Sequence, residues 1–145
     1  AVWDSTYGTL LAAVERHTGD VMALAASPDG SQLFASGMDP KVALIRRLPG
    51  QDGRDSKWVY LDCKRPHTHD VRAMEVIVRS DGQEPLIVSG GNDAQLFCYS
   101  VNAFQKIHAV RLCKCPEKPT VQVGRSSSGK SVLLSCERAA VDLWE

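Results

Sequence analysis

The chain lacks an excess of charge of either sign, any long apolar run, and any abundance of aromatic side chains. Lys and Arg number 17, as do Asp and Glu, so the net charge is zero. That balance excludes a grip on nucleic acid through overall charge alone. No apolar stretch approaches the roughly 18 residues of a membrane-spanning helix. No signal peptide is visible, although the sequence does not begin with Met. These features lead to an expectation of no membrane association. The five cysteines (63, 98, 113, 115 and 136) are odd in number and irregular in spacing. They read as reduced thiols of an intracellular protein rather than a disulfide framework. Helical periodicity is missing too, since no 12-residue stretch carries an amphipathic pattern. What is present is a series of short apolar runs bounded by turn residues: MALAA, QLFAS, PLIVS and SVLLS. They have strand length, and the chain reads as all-β.

The runs recur in a fixed outline. His67 is followed four residues on by Val71, then by an apolar run ending at Ser89, a tight turn with Asp93, and Tyr99 six residues later. His17, Val21, Asp39 and Ile45 repeat that order, with Ala35 where the serine stands. The closing positions Trp3, Ile45, Tyr99 and Trp144 lie 42, 54 and 45 residues apart, near the period of four-stranded propeller blades. The repeat units are approximately 4–45, 46–99 and 100–144 of a single domain, 1–145. At an offset of 99, AASPDGSQLFASG (25–37) lies over GRSSSGKSVLLSC (124–136) without a gap. The extra length of the middle unit falls in PGQDGRDSK (49–57), read as an exposed loop before a strand at Trp58–Leu61. Closed propellers have 4 to 8 blades. The expected fold is therefore about three consecutive four-stranded blades of a larger β-propeller, with apolar faces left between blades.

Several residue sets invite chemistry. His67, Ser89 and Asp93 resemble a hydrolytic trio. The same residue types recur in incomplete form at His17 and Asp39, which points instead to a structural network of His17, Asp39, His67, Ser89, Asp93 and Tyr99 tying each blade together. GRSSSGKS (124–131) matches the phosphate-loop pattern. Such a loop requires a following helix, and the repeat alignment makes SVLLSC a strand. Cys63, His67 and His69, and the CxC pair Cys113 and Cys115 near His108, lack structural-zinc spacing. No catalytic residue, cofactor, metal or small-molecule substrate is expected. Charge is uneven along the chain: residues 1–39 carry one basic and five acidic residues, and 40–79 carry nine basic and five acidic. Arg46, Arg47, Arg54, Lys57, Lys64 and Arg65, with Arg72, form a candidate RNA-proximal side or a solvated rim. No aromatic interleaving along this stretch suggests base stacking.

The outline HTHDV…SGGNDAQLFCYS, with AVWD and VDLWE as strand ends, resembles WD repeats. VWDSTYGTLL, SGMDPKVALIRRL and RPHTHDVRAMEV narrow the resemblance to WD-repeat proteins of the small-subunit processome. That resemblance implies a non-enzymatic nucleolar scaffold in ribosome assembly. Its partners would be other propeller proteins and the backbone of pre-ribosomal RNA. It also implies partner-binding positions before the turn Asp and early in the innermost strand, here Met38, Asn92, Met22 and Arg72. A WD adaptor presenting substrates to a ubiquitin ligase is the alternative. The chain departs from the pattern at Ile45, where Trp is usual, and in the last unit at Pro116 and Arg138, where His and Asp belong.

Overall fold

The structure, a computed structural model, describes residues 1–50, 56–79, 81–111, 120–125, 131–137 and 140–144. Thirteen strands and no helix occur among them. β1 (Val2–Trp3) and β2 (Leu10–Ala12) form a two-stranded ribbon. The first sheet holds β3 (Val21–Ala26), β4 (Gln32–Gly37), β5 (Val42–Leu48) and β6 (Lys57–Lys64). The second holds β7 (Val71–Ile77), β8 (Leu86–Gly91), β9 (Gln95–Ser100) and β10 (Lys106–Arg111). The third holds β11 (Thr120–Arg125), β12 (Ser131–Glu137) and β13 (Ala140–Trp144). Each sheet is antiparallel with neighbours in chain order. The innermost strands β3, β7 and β11 pack side by side. These are consecutive blades of a β-propeller, with two complete four-stranded sheets at the centre.

Turn chemistry sets the hairpins. Ser27-Pro28-Asp29-Gly30 joins β3 to β4: Gly30 takes φ +68° and its N–H bonds the Ser27 carbonyl at 2.9 Å. Pro presets φ for such a turn, and Gly accepts the positive φ at no steric cost. The strand expected at Trp58–Leu61 lies within β6. Lys57, placed in the loop by sequence, is its first residue, paired with Leu48. Of that loop, 51–55 lie outside the described residues.

Alternate side chains serve two different cores. Phe34, Val42 and Leu44 of the first sheet join Val71, Met74, Ile87, Phe97 and Tyr99 of the second in one cluster. Ala35, Ala43 and Ile45 point the opposite way, toward Val14, Trp58 and Tyr60. In the second sheet Ala73, Val88 and Leu96 form a further cluster on its far face. This is period-two alternation with apolar residues in both phases, the pattern of a strand buried on both sides. Each fully buried residue such as Phe34 or Ile87 contributes about 1.5–3 kcal/mol of burial free energy.

Candidate functional site

In the second sheet the His-Asp end is held by one network. His67 precedes β7 and Ser89 lies in β8. Asp93 sits in the turn that follows, where Ala94 adopts φ +58°. The Nδ1 of His67 lies 2.9 Å from Asp93 Oδ1, and its Nε2 lies 2.9 Å from the Ser89 hydroxyl. Asp93 also accepts the Thr68 N–H at 2.9 Å and the Gln95 N–H at 3.3 Å. The carboxylate accepts only, so Nδ1 carries the proton and Nε2 receives the serine hydroxyl. Burial pushes the pKa of His67 down, against the opposing pull of Asp93, and keeps the ring neutral. The ring stands edge-on to Phe97 at 4.7 Å. Ser89 is fully buried. The trio thus forms a clamp between the turn and the inner strands.

Tyr99 does not join this network. Its hydroxyl is buried without a hydrogen-bond partner among the described residues, and its ring packs against Phe104 at 6.0 Å. The aromatic position closes the hydrophobic cluster rather than the polar one, and burial pushes the Tyr99 pKa far up.

The first sheet repeats the clamp with a gap. His17 Nδ1 meets Asp39 Oδ1 at 2.8 Å, and Lys41 Nζ approaches Asp39 Oδ2 at 3.3 Å. Burial of Asp39 opposes its ionisation, but bonds from His17, Thr18 and Lys41 outweigh this and hold its pKa below the usual carboxylate value. Ala35 stands where a hydroxyl would meet the other ring nitrogen. His17 Nε2 is buried and has no partner among the described residues.

The four candidate partner positions occur as two equivalent pairs. Met38 N–H bonds the Asp20 carbonyl at 2.9 Å, and Asn92 N–H bonds the Asp70 carbonyl at 2.9 Å. Met22 and Arg72 are the second residues of β3 and β7. All four lie at the same end of two adjacent sheets. Met38 is 50% exposed and Met22 43%, large for apolar side chains at neighbouring positions. Arg72 faces Asp70 at 3.9 Å.

The candidate basic side is divided. Arg46, Arg47 and Lys57 lie at the end of the first sheet remote from Asp39, because β5 runs away from that turn and Arg46, Arg47 and Leu48 pair with Val59, Trp58 and Lys57. Lys64 pairs with Val42 at the opposite end of β6, followed by Arg65. At about 3.3 Å per residue, seven steps of β6 separate Lys57 from Lys64 by roughly 23 Å. Lys64 is also paired with Asp62 at 2.8 Å. The stretch therefore does not form one continuous surface. Arg54 lies outside the described residues.

The remaining motifs resolve as follows. The phosphate-loop match begins in β11 with Gly124 and Arg125 and ends at Ser131, the first residue of β12. A strand follows where that chemistry needs a helix N-terminus. Both nitrogens of His67 are engaged, and His69 bonds the Thr68 hydroxyl at 3.0 Å. Among the described residues no group of three or more His, Cys, Asp or Glu is placed to hold a metal ion. Cys113, Cys115, Pro116 and Arg138 lie outside them.

Comparison with known proteins agrees with this architecture. Residues 8–45 match the model of the WD domain, G-beta repeat. Over 121 residues, 83% of the chain, the sequence is 29% identical to the U3 small nucleolar RNA-associated protein 4 of Schizosaccharomyces pombe. The chain spans 16% of that protein's length. Residues 8–45 thus carry WD-repeat sequence, and most of the chain resembles a small nucleolar RNA-associated protein.

Proposed function

We propose that the protein is a non-enzymatic scaffold of small-subunit ribosome assembly and pre-ribosomal RNA processing, acting in the nucleolus. It binds other propeller proteins through the end of the sheets that carries Met22, Met38, Arg72 and Asn92. The backbone of pre-ribosomal RNA is a second ligand, met by Arg46, Arg47 and Lys57 on one side and Lys64 and Arg65 on the other. The observation that carries this reading is the similarity over 83% of the chain to a protein named for its association with a small nucleolar RNA. The buried His67–Ser89–Asp93 clamp, with both ring nitrogens engaged, supports a platform over an active site.

Two measurements test it. Affinity purification of the full-length protein should recover ribosome assembly factors, whereas ubiquitin ligase subunits would favour the adaptor reading. Charge reversal of Arg46 with Arg47, and separately of Lys64 with Arg65, should weaken crosslinking to pre-ribosomal RNA. Crosslinking unchanged in both variants removes RNA from the proposal.

A further inference from the structure

We propose that the first sheet holds a seat for an unpaired nucleobase of single-stranded RNA, built from Trp58, Tyr60, Arg16 and Arg47. The inference rests on the RNA reading above and gives it a specific site. Trp58 and Tyr60 alternate along β6 and so share one face. That face is turned toward Val14 and the segment leaving β2. Across the ladder, Arg47 is the register partner of Trp58 and shares its face. Arg16 stacks its guanidinium over the Tyr60 ring at 5.0 Å. Residues far apart in sequence thus form a row of cation, ring, ring and cation. Between 13–16 and 58–60 lies a cleft of about 470 Å³, within the roughly 300–1,000 Å³ range of ligand sites.

The chemistry favours a base in the cleft, with phosphates outside it. Trp58 and Tyr60 are partly buried; Arg16 already covers one face of Tyr60, so a base would stack on Trp58 beside that pair, and stacking on such a ring accepts any base. Arg16 can stack and donate at once. Glu15 lines the same cleft. Its carboxylate repels a phosphate but accepts from the amino edge of a base. Arg47 shares the face of Trp58 and would meet a flanking phosphate, whereas Arg46 and Lys57 alternate to the opposite face.

The test uses the full-length protein and two labelled 12-residue probes, oligo(A) RNA and a ribose-phosphate strand without bases. Wild type should bind oligo(A) at least about tenfold more tightly, the scale of one stacked base. Trp58→Leu and Arg16→Gln should each remove most of that difference while leaving affinity for the baseless strand unchanged. Arg16 is exposed, so its variant keeps the test valid if loss of Trp58 unfolds the blade. Equal binding of both probes by wild type overturns the base seat and leaves the backbone contact standing. Binding of neither overturns both. A preference for oligo(A) that survives in both variants places the stacking elsewhere and overturns this site. Tighter binding of poly-glutamate than of oligo(A), lost in Arg16→Gln, overturns it in favour of an acidic peptide.

Discussion

Ala35 leaves His17 one hydrogen bond short. In the neighbouring sheet the equivalent nitrogen of His67 meets Ser89 at 2.9 Å, but His17 Nε2 is buried with nothing to bond among the described residues. An unsatisfied buried polar atom costs about 1–3 kcal/mol. Ala35→Ser should therefore stabilise the protein by about 1 kcal/mol, because the added hydroxyl is small and its partner is already in place. Ser89→Ala should destabilise by about 1–3 kcal/mol by recreating the gap. Urea midpoints of the two variants check this. A destabilising Ala35→Ser would show that the serine has no room.

Acid sensitivity should come in two stages. His67 is kept neutral in the fold, so below its ordinary value of 6.5 the unfolded chain takes up a proton that the folded chain refuses. Stability present above that pH is lost as pH falls, by at most about 1.4 kcal/mol per unit for one group. Asp39, whose folded pKa is lowered, contributes stability above 3.8 that is lost only as pH falls through its lower folded value. Unfolding free energies at pH 7.5 and 5.5 should differ less in His67→Gln than in wild type. Equal slopes in the two proteins would contradict the first stage.

Gly91 has no room for a side chain. A Cβ there would sit 2.6 Å from His67 Nδ1 and 2.9 Å from Asp93 Oδ1. Gly91→Ala should cost about 3 kcal/mol by driving the clamp apart. Gly30→Ala meets open space and carries only the strain of φ +68°, worth about 1 kcal/mol. Thermal melts should rank the two in that order.

Met38 and Met22 are exposed and their side chains take no part in the clamps' hydrogen bonds, so Met22→Glu with Met38→Glu should leave the melting temperature within a few degrees. If the end of the sheets that they share is a protein interface, the double variant should bind its propeller partners at least about tenfold more weakly, as burying an unpaired charge requires. Unchanged affinity would move the interface elsewhere.

The sequence made the strands legible because short apolar runs between turn residues have few other ways to be buried. QLFAS and SVLLS fall in β4 and β12, and PLIVS from its leucine onward falls in β8. Register was less legible. At an offset of 99 the Leu33–Ile45 pair maps onto 132 and 144, but Leu133 pairs with Trp144. The ladder of β12 and β13 runs on to Glu137 and Ala140, leaving only two residues between the strands, whereas five separate Ser36 from Val42. Trp58 and Tyr60 do interleave with the basic stretch between Lys57 and Lys64, contrary to the expectation from sequence; what was hidden is that Arg47 and Arg16 reach the same face across a strand and across a loop. Division of the basic stretch by β6 is likewise a matter of strand direction, which composition does not carry.

Sheet membership runs one strand out of step with the repeats. β6 and β10 lie in the repeat units 46–99 and 100–144, yet each pairs with the last strand of the unit before it. The segment that is copied along the chain is therefore not the segment that folds as one sheet. Extra residues between β5 and β6 lengthen a hairpin at the outer edge and leave the seam between neighbouring sheets untouched. Such growth can diversify the rim of one blade through small insertions while the packing of β3 on β7 stays constant.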